Sequence, residues 1–208
     1  MLRTPLLLCA LALTACASNP FVTSWKAPDA APLQLQGAKV GAVVMMRNEA
    51  ARRVAEDALA REISVRGGQG IPGYTLFPDS QPSNEAEAKA AFERAGMQGV
   101  VVMRPTSVDK EVVSDPAAFT PAVYGGYWGG YYGHGWGAPW DTVGGEIRTN
   151  TIVTIETLVY SLVQNKLVWA GQSRTTNPQS VNTVVKKLSA AAAKELEKQG
   201  LLPPATTG

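Results

Sequence analysis

Seven of the chain's eleven Tyr and Trp residues fall in one stretch, YGGYWGGYYGHGWGAPW, from Tyr124 to Trp140. Glycine gives such a segment backbone freedom and removes side-chain bulk. Each Tyr or Trp brings a wide apolar face and one polar atom. That combination suits contact with a protein or a second copy of the chain, stacking on sugar rings, or seating in a membrane headgroup layer. The competing reading is a low-complexity insertion whose aromatics fold partly back over a sheet. The candidate contact residues are Tyr127, Trp128, Tyr131, Tyr132, Trp136 and Trp140.

Other residue types with chemical potential are sparse. Asp109, Glu111 and Asp115 cluster within seven positions. A carboxylate pair with one raised and one ordinary pKa serves glycoside cleavage. Asp109 and Glu111 share a face if they lie on a strand, although Lys110 between them also fits a solvated strand end. His134 is the only histidine, and it sits between glycines. Zinc sites need three or four N, S or O ligands, which Cys and His cannot supply in this chain. Gly68-Gln69-Gly70-Ile71-Pro72-Gly73 matches G-x-G-x-x-G by letter. A dinucleotide site needs a strand before that motif and a helix starting on it. Here a helix pattern precedes it and Pro72 removes a donor, so it reads as a turn. Glu156 falls mid-strand in TNTIVTIETLVYSLV; a solvent-facing strand side explains it, and a cross-strand partner in Arg174 is the next option. The sequence offers no convincing catalytic residue, metal site or cofactor motif.

The amino terminus carries the sharpest signal. Met1-Leu2-Arg3 is a short positive start, and Pro5 to Leu13 is mostly apolar. That run is far short of the roughly 20 residues a membrane span needs and reads as a secretory signal. It ends in Leu13-Thr14-Ala15-Cys16, which resembles the lipobox of bacterial lipoproteins. The resemblance implies cleavage between Ala15 and Cys16 and acylation of Cys16. Ala17 stands where an Asp would resemble the inner-membrane retention signal, which favours the outer membrane. Each buried acyl methylene is worth roughly 0.8 kcal/mol, and two or more chains anchor stably. Cys9 would leave with the signal, so no thiol would remain for a disulfide, a nucleophile or a thiolate metal site. Removing Arg3 with the first fifteen residues leaves 18 basic against 17 acidic residues. A chain so near neutral has no electrostatic reason to seek nucleic acid.

Residues 16–36 carry three prolines and no periodic pattern, and read as a lipidated extended tether, with an edge strand added around Trp25. Residues 37–202 form the expected single domain. Lys39–Met46 is a continuous apolar run suited to a strand covered on both faces. Asn48 and Glu49 open a helix with Ala51, Val54, Ala55, Ala58, Leu59 and Ile63 on its apolar face, closed at Gly67 and Gly68. Tyr74–Phe77 follows as a short strand. Asn84 with Glu87 resembles a capping box for a second helix bearing Ala88, Ala91, Phe92 and Ala95. Gly99–Met103 is a third buried strand. The order β-α-β-α-β implies neighbouring parallel strands. Thr149–Val163 and Leu167–Arg174 suggest an antiparallel hairpin. A last helix begins near Ser180 with Val181, Val184, Val185, Leu188, Ala191, Ala192 and Leu196 as its stripe and stops at Gly200. The LLPPATTG tail reads as frayed, with 203–208 flexible. The expected fold is α/β: one mixed sheet of about five strands with helices mainly on one face. The Gly/aromatic stretch is an insertion at 119–146 in the connection between the third strand and the hairpin.

With the lipobox, the β-α-β-α-β half, the Tyr/Gly/Trp insertion and Lys166-Leu167-Val168-Trp169-Ala170-Gly171, the chain resembles Gram-negative envelope lipoproteins of the domain-of-unknown-function type. The architecture is also similar to periplasmic α/β domains: the amino-terminal part of TolB, the curli-secretion lipoprotein and the lipoprotein activators of peptidoglycan synthases. These similarities imply contact and assembly rather than turnover. Trp169 reads as core, because it sits on a strand with Leu167 and Val168. The resulting expectation is a non-enzymatic module on the periplasmic face of the outer membrane, held by acyl chains on Cys16. Its partner would be an envelope protein, a second copy or a glycan, not nucleic acid. The alternatives are a purely structural lipoprotein with a dispensable loop, or an envelope-glycan enzyme using Asp109, Glu111 or Asp115.

Overall fold

Among the described residues, the apolar runs and helical stripes settle into one six-stranded mixed sheet with three α-helices packed on it. A computed structural model describes residues 19–77, 85–114 and 147–204. The strands are β1 (Phe21–Lys26), β2 (Lys39–Val44), β3 (Gln69–Pro72), β4 (Gly99–Ser114), β5 (Ile147–Ser161) and β6 (Lys166–Thr176). The helices are α1 (Glu49–Val65), α2 (Glu85–Arg94) and α3 (Val181–Lys198). Across the sheet the order is β1-β6-β5-β4-β2-β3. The β-α-β-α-β half gives the parallel pairs β2 with β3 and β2 with β4, and the second half gives the antiparallel hairpin β5–β6. The sixth strand is the edge strand expected around Trp25; it pairs antiparallel with β6.

Caps set the helix bounds. The Asn48 side chain accepts from the Ala51 N–H at 2.9 Å, and Ser180 Oγ accepts from the Thr183 N–H at 3.1 Å. Each satisfies a donor that the first turn leaves without a helical partner. The chain leaves α1 through Gly67 and α3 through Gly200, at φ of 92° and 72°. These are left-handed conformations that glycine adopts without a Cβ penalty.

Helices α1 and α3 share one face of the sheet. Val40, Ala42 and Val44 of β2 pack there with Leu59 and Ile63 of α1 and with Val185 and Leu188 of α3. Helix α2 covers the other face, where Phe92 and Met97 meet Val100, Val43 and Ile71. A third cluster joins Phe21, Trp169, Ala192, Leu196 and Leu201. Leu201 is fully buried, so the tail begins inside the core rather than frayed, and the Leu33 N–H donates to its carbonyl at 2.8 Å. Burying a side chain such as Leu59 or Leu188 contributes about 1.5–3 kcal/mol.

The W-x-G of β6 has a packing reason. Two residues apart on a strand share a face, and the Trp169 ring lies over Gly171, where a Cβ would sit 2.3 Å from the indole. Phe21 meets the same ring edge-on at 5.2 Å. Trp169 is fully buried, the core residue its strand context suggests.

Two element readings need correction. The strand after α1 is not Tyr74–Phe77 but Gln69–Pro72, and Gly73–Thr75 is a 3-10 turn. The Gly-x-Gly stretch read as a turn is therefore the strand itself, paired in register from Lys39↔Gln69 to Ala42↔Pro72. Helix α1 is also phased differently. Its buried residues are Arg52, Ala55, Glu56, Ala58, Leu59, Ala60 and Ile63, while Val54 is exposed. The first turn of that face is polar, so an apolar count mis-sets its centre.

Candidate functional site

The longest pairing in the fold is β4 with β5, in register from Gly99↔Ser161 to Ser114↔Ile147. Strand β2 stops on β4 at Met103, and β6 stops on β5 at Ile152. Beyond the Asp109↔Ile152 pair, residues 110–114 and 147–151 continue alone as a two-stranded ribbon. At about 3.4 Å per residue, that five-residue ribbon reaches roughly 17 Å past the end of β6. Asn177 closes its base: its N–H donates to the Thr151 carbonyl at 2.7 Å, and its Oδ1 accepts from the Thr151 N–H at 2.8 Å. Along the chain, the ends of this ribbon flank the Gly/aromatic insertion.

The sheet face shared with α2 is open where α2 does not reach. One row crosses four strands there: Thr23, Gln172, Glu156 and Arg104, each opposite the next. Arg104 Nε donates to Glu156 Oε2 at 2.5 Å. The partner of Glu156 is thus Arg104, not Arg174, which lies opposite Thr154. Trp25 stands on the same face, opposite Ala170, and is 48% exposed. Because the Arg104–Glu156 pair is open to solvent, Arg104→Ala is expected to cost less than about 1 kcal/mol of stability. Equilibrium urea unfolding would show it, and a cost of several kcal/mol would mean the pair is buried by something that covers this face.

Asp109 lies on β4, and its Oδ2 accepts from Ser107 Oγ at 2.8 Å. Glu111 follows two residues on, on the same strand face, as expected for that spacing. Both are exposed, and neither lines either of two clefts formed among the described residues. Asp115, His134 and the six contact aromatics Tyr127, Trp128, Tyr131, Tyr132, Trp136 and Trp140 lie outside the described residues, as do Ala15 and Cys16 and the Asn84 cap. Among the described residues no group of three or more His, Cys, Asp and Glu could hold a metal ion. No helix among them is long and apolar enough to cross a membrane.

Sequence reasoning missed one buried polar centre. Glu56 is 1% exposed. Its Oε1 accepts from the Val44 N–H at 3.2 Å and lies 3.6 Å from the Arg52 guanidinium, and its Oε2 accepts from the Tyr74 N–H at 2.7 Å. Burial pushes its pKa above the ordinary carboxylate value, against the lowering effects of the two backbone donors and Arg52. Nearby, Tyr74 donates its hydroxyl to Asp57 at 2.8 Å, which raises the phenol's pKa, and Arg53 lies over its ring. Glu56 ties the end of β2 to the turn after β3. It is enclosed by backbone donors and does not face a cleft. That arrangement holds elements together; it presents no reacting group.

No family model matches the chain, and no curated protein does. Solved structures do. The chain is similar to the PelC L103M dodecamer from Paraburkholderia phytofirmans at 12% identity and a TM-score of 0.42, covering 86% of this chain and 96% of that one. A second PelC dodecamer structure from the same organism aligns at 12% identity and 0.42, covering 84% and 92%. Lipoprotein GNA1162 from Neisseria meningitidis aligns at 11% identity and 0.38, covering 78% of this chain and 99% of that one.

Proposed function

We propose that this chain is a lipid-anchored, periplasm-facing module of the outer membrane that works by contact, binding another envelope component or a second copy of itself through the Gly/aromatic insertion. The observation that carries the reading is the β4–β5 ribbon: two strands run about five residues past the rest of the sheet, and the chain places seven Tyr and Trp residues between their ends. A ribbon of that length extends past the sheet on ladder hydrogen bonds without adding to the core. Aromatic side chains offer large contact areas at low conformational cost. The anchor rests on Leu13-Thr14-Ala15-Cys16. Nothing in the exposed placement of Asp109 and Glu111 favours the glycan-cleaving alternative.

A photoreactive side chain at Trp128 and, separately, at Trp136 tests the contact in living cells. One discrete adduct, to a partner or to a second copy, is the expected product; no specific adduct at either position would overturn the reading. Deleting 119–146 leaves four residues to join Ser114 to Ile147, a common hairpin loop length. The variant is expected to keep the wild-type melting temperature and lose the adduct's partner from pull-downs. The anchor is tested by Cys16→Ser, which should release the protein from membranes; unchanged partitioning, with no acyl mass on the wild type, would remove that part of the proposal.

A further inference from the structure

Two of the core clusters on the α1/α3 face meet only through Val101 on the sheet. One holds Leu59, Ile63 and Leu188, and the other holds Ala192, Leu196 and Trp169. Between them lies a cavity of about 250 Å³. Its floor is Val101 and Val159, on β4 and β5. Its walls are Leu59 and Ile63 on α1 and Ala192 and Ala193 on α3. The alanines explain the gap: side chains that short do not reach across to α1. Leu33 and Leu35 cross the opening as a strap, fixed by the Leu33 N–H to Leu201 and by the Gln164 amide, which bonds both the N–H and the carbonyl of Ala31.

The lining separates this space from a packing flaw. Thr157 and Ser189 line it, but their hydroxyl oxygens are shut off from the open space, so the interior surface is apolar. The mouth is polar and neutral. Glu62 and Arg66 pair there at 2.9 Å, and the other polar groups are uncharged amides, Gln34, Gln98 and Gln164. A dry apolar cavity of about 150 Å³ takes benzene, so by the same ratio this one takes about ten carbon atoms.

We infer that this cavity binds a single aliphatic chain of about eight to ten carbons ending in an uncharged polar group, such as an ester, amide or alcohol. Small-molecule sites have this character, mostly apolar with few polar groups. A carboxylate end is disfavoured, because Glu62 already occupies the one cation at the mouth. The inference does not depend on the aromatic insertion. The chain could come from a separate molecule or from an acyl group on Cys16.

The probe is an eight-carbon primary alcohol carrying a diazirine at its far end, photolysed with the full-length protein in digitonin and mapped by peptide mass spectrometry. Labelling is expected in the peptides spanning Leu59–Ile63 and Ser189–Leu196. Unlabelled octan-1-ol should compete, and octanoate should compete less well. Ala193→Leu, which fills the space, should cut labelling about tenfold, the scale of a few methylenes in an apolar pocket, with the melting temperature kept or raised. Labelling spread over the chain, or octanoate competing as well as octanol, would overturn the inference. If Ala193→Leu does not fold, Ala192→Leu and the wild-type competition decide the same point. Higher labelling in Cys16→Ser than in wild type would identify the occupant as the protein's own acyl chain; equal labelling would identify a separate molecule.

Discussion

Glu56→Ala is expected to lower the unfolding free energy by about 3–5 kcal/mol, the range for breaking a buried ion pair by removing one partner. The carboxylate meets three groups at once: the Val44 N–H, the Tyr74 N–H and Arg52. Alanine leaves both backbone donors without this acceptor and leaves Arg52, itself buried, without its counter-ion. For a domain of this size each kcal/mol moves the melting temperature by about 2–4 °C, so thermal unfolding should show a fall on the order of 10 °C. Glu56→Gln should fall between wild type and alanine. Its oxygen can serve one N–H, but its amide nitrogen then faces the other, donor against donor. A loss below about 1 kcal/mol for alanine would show that Glu56 does not connect β2, α1 and the turn after β3.

The same group gives a pH dependence with a definite sign. Burial raises the folded-state pKa of Glu56 above its ordinary 4.5. Across that interval the folded state holds more protons than the unfolded state, so stability from this group falls as pH rises. The contribution is fully present below 4.5 and is lost as pH passes the raised value. Comparing wild type with Glu56→Gln should isolate it: the decline across that window should be shallower in the variant. A steeper decline in the variant would mean the pKa is lowered instead.

How much of this was legible in the sequence depends on what carries the signal. The buried strands β2 and β4 were legible because a strand covered on both faces must be apolar throughout. Helix α3 was legible because its buried positions, Val185, Leu188, Ala192 and Leu196, are apolar and spaced by three and four. Helix α1 was legible as an element but not in its phase. Arg52 and Glu56 take buried positions there because they pair with each other and Glu56 accepts from two backbone N–H groups, and a count of apolar residues cannot anticipate that. The partner of Glu156 was hidden for another reason. Arg104 lies 52 residues away on β4, and no short turn joins β4 to β5 to fix their register from local sequence. The cavity was hidden because it consists of what small side chains fail to fill. Of the candidate site, the sequence disclosed composition and position; the length of the ribbon that carries it is a property of pairing.

Strand β3 was the clearest miss, and its cause makes the other large prediction. Gln69-Gly70-Ile71-Pro72 has little β-propensity, and its pairing with β2 is set by room rather than by preference. At Gly70 a Cβ would lie 2.1 Å from the Ala60 carbonyl oxygen and 2.7 Å from the Ala60 Cα. Both are backbone atoms of α1, so no rotamer change relieves the clash. The approach is also stitched: Ser64 Oγ accepts from the Gly70 N–H at 3.1 Å and donates to that Ala60 carbonyl at 2.9 Å. Gly70→Ala must therefore push β3 away from α1 or break its pairing with Val40. The expected cost is at the top of the overpacking range, about 3 kcal/mol or more, with faster amide exchange from Gln69 to Pro72. Gly41→Ala is the control. There the added methyl meets Met97 Sδ and Phe92 Cε1, each at 3.1 Å, and both belong to side chains that can turn aside. If the two variants lost equal stability, helix backbone would not be what holds position 70 to glycine. A smaller loss at Gly41 would show that this glycine marks the close passage of a strand under a helix, the role the local pattern disguised as a turn.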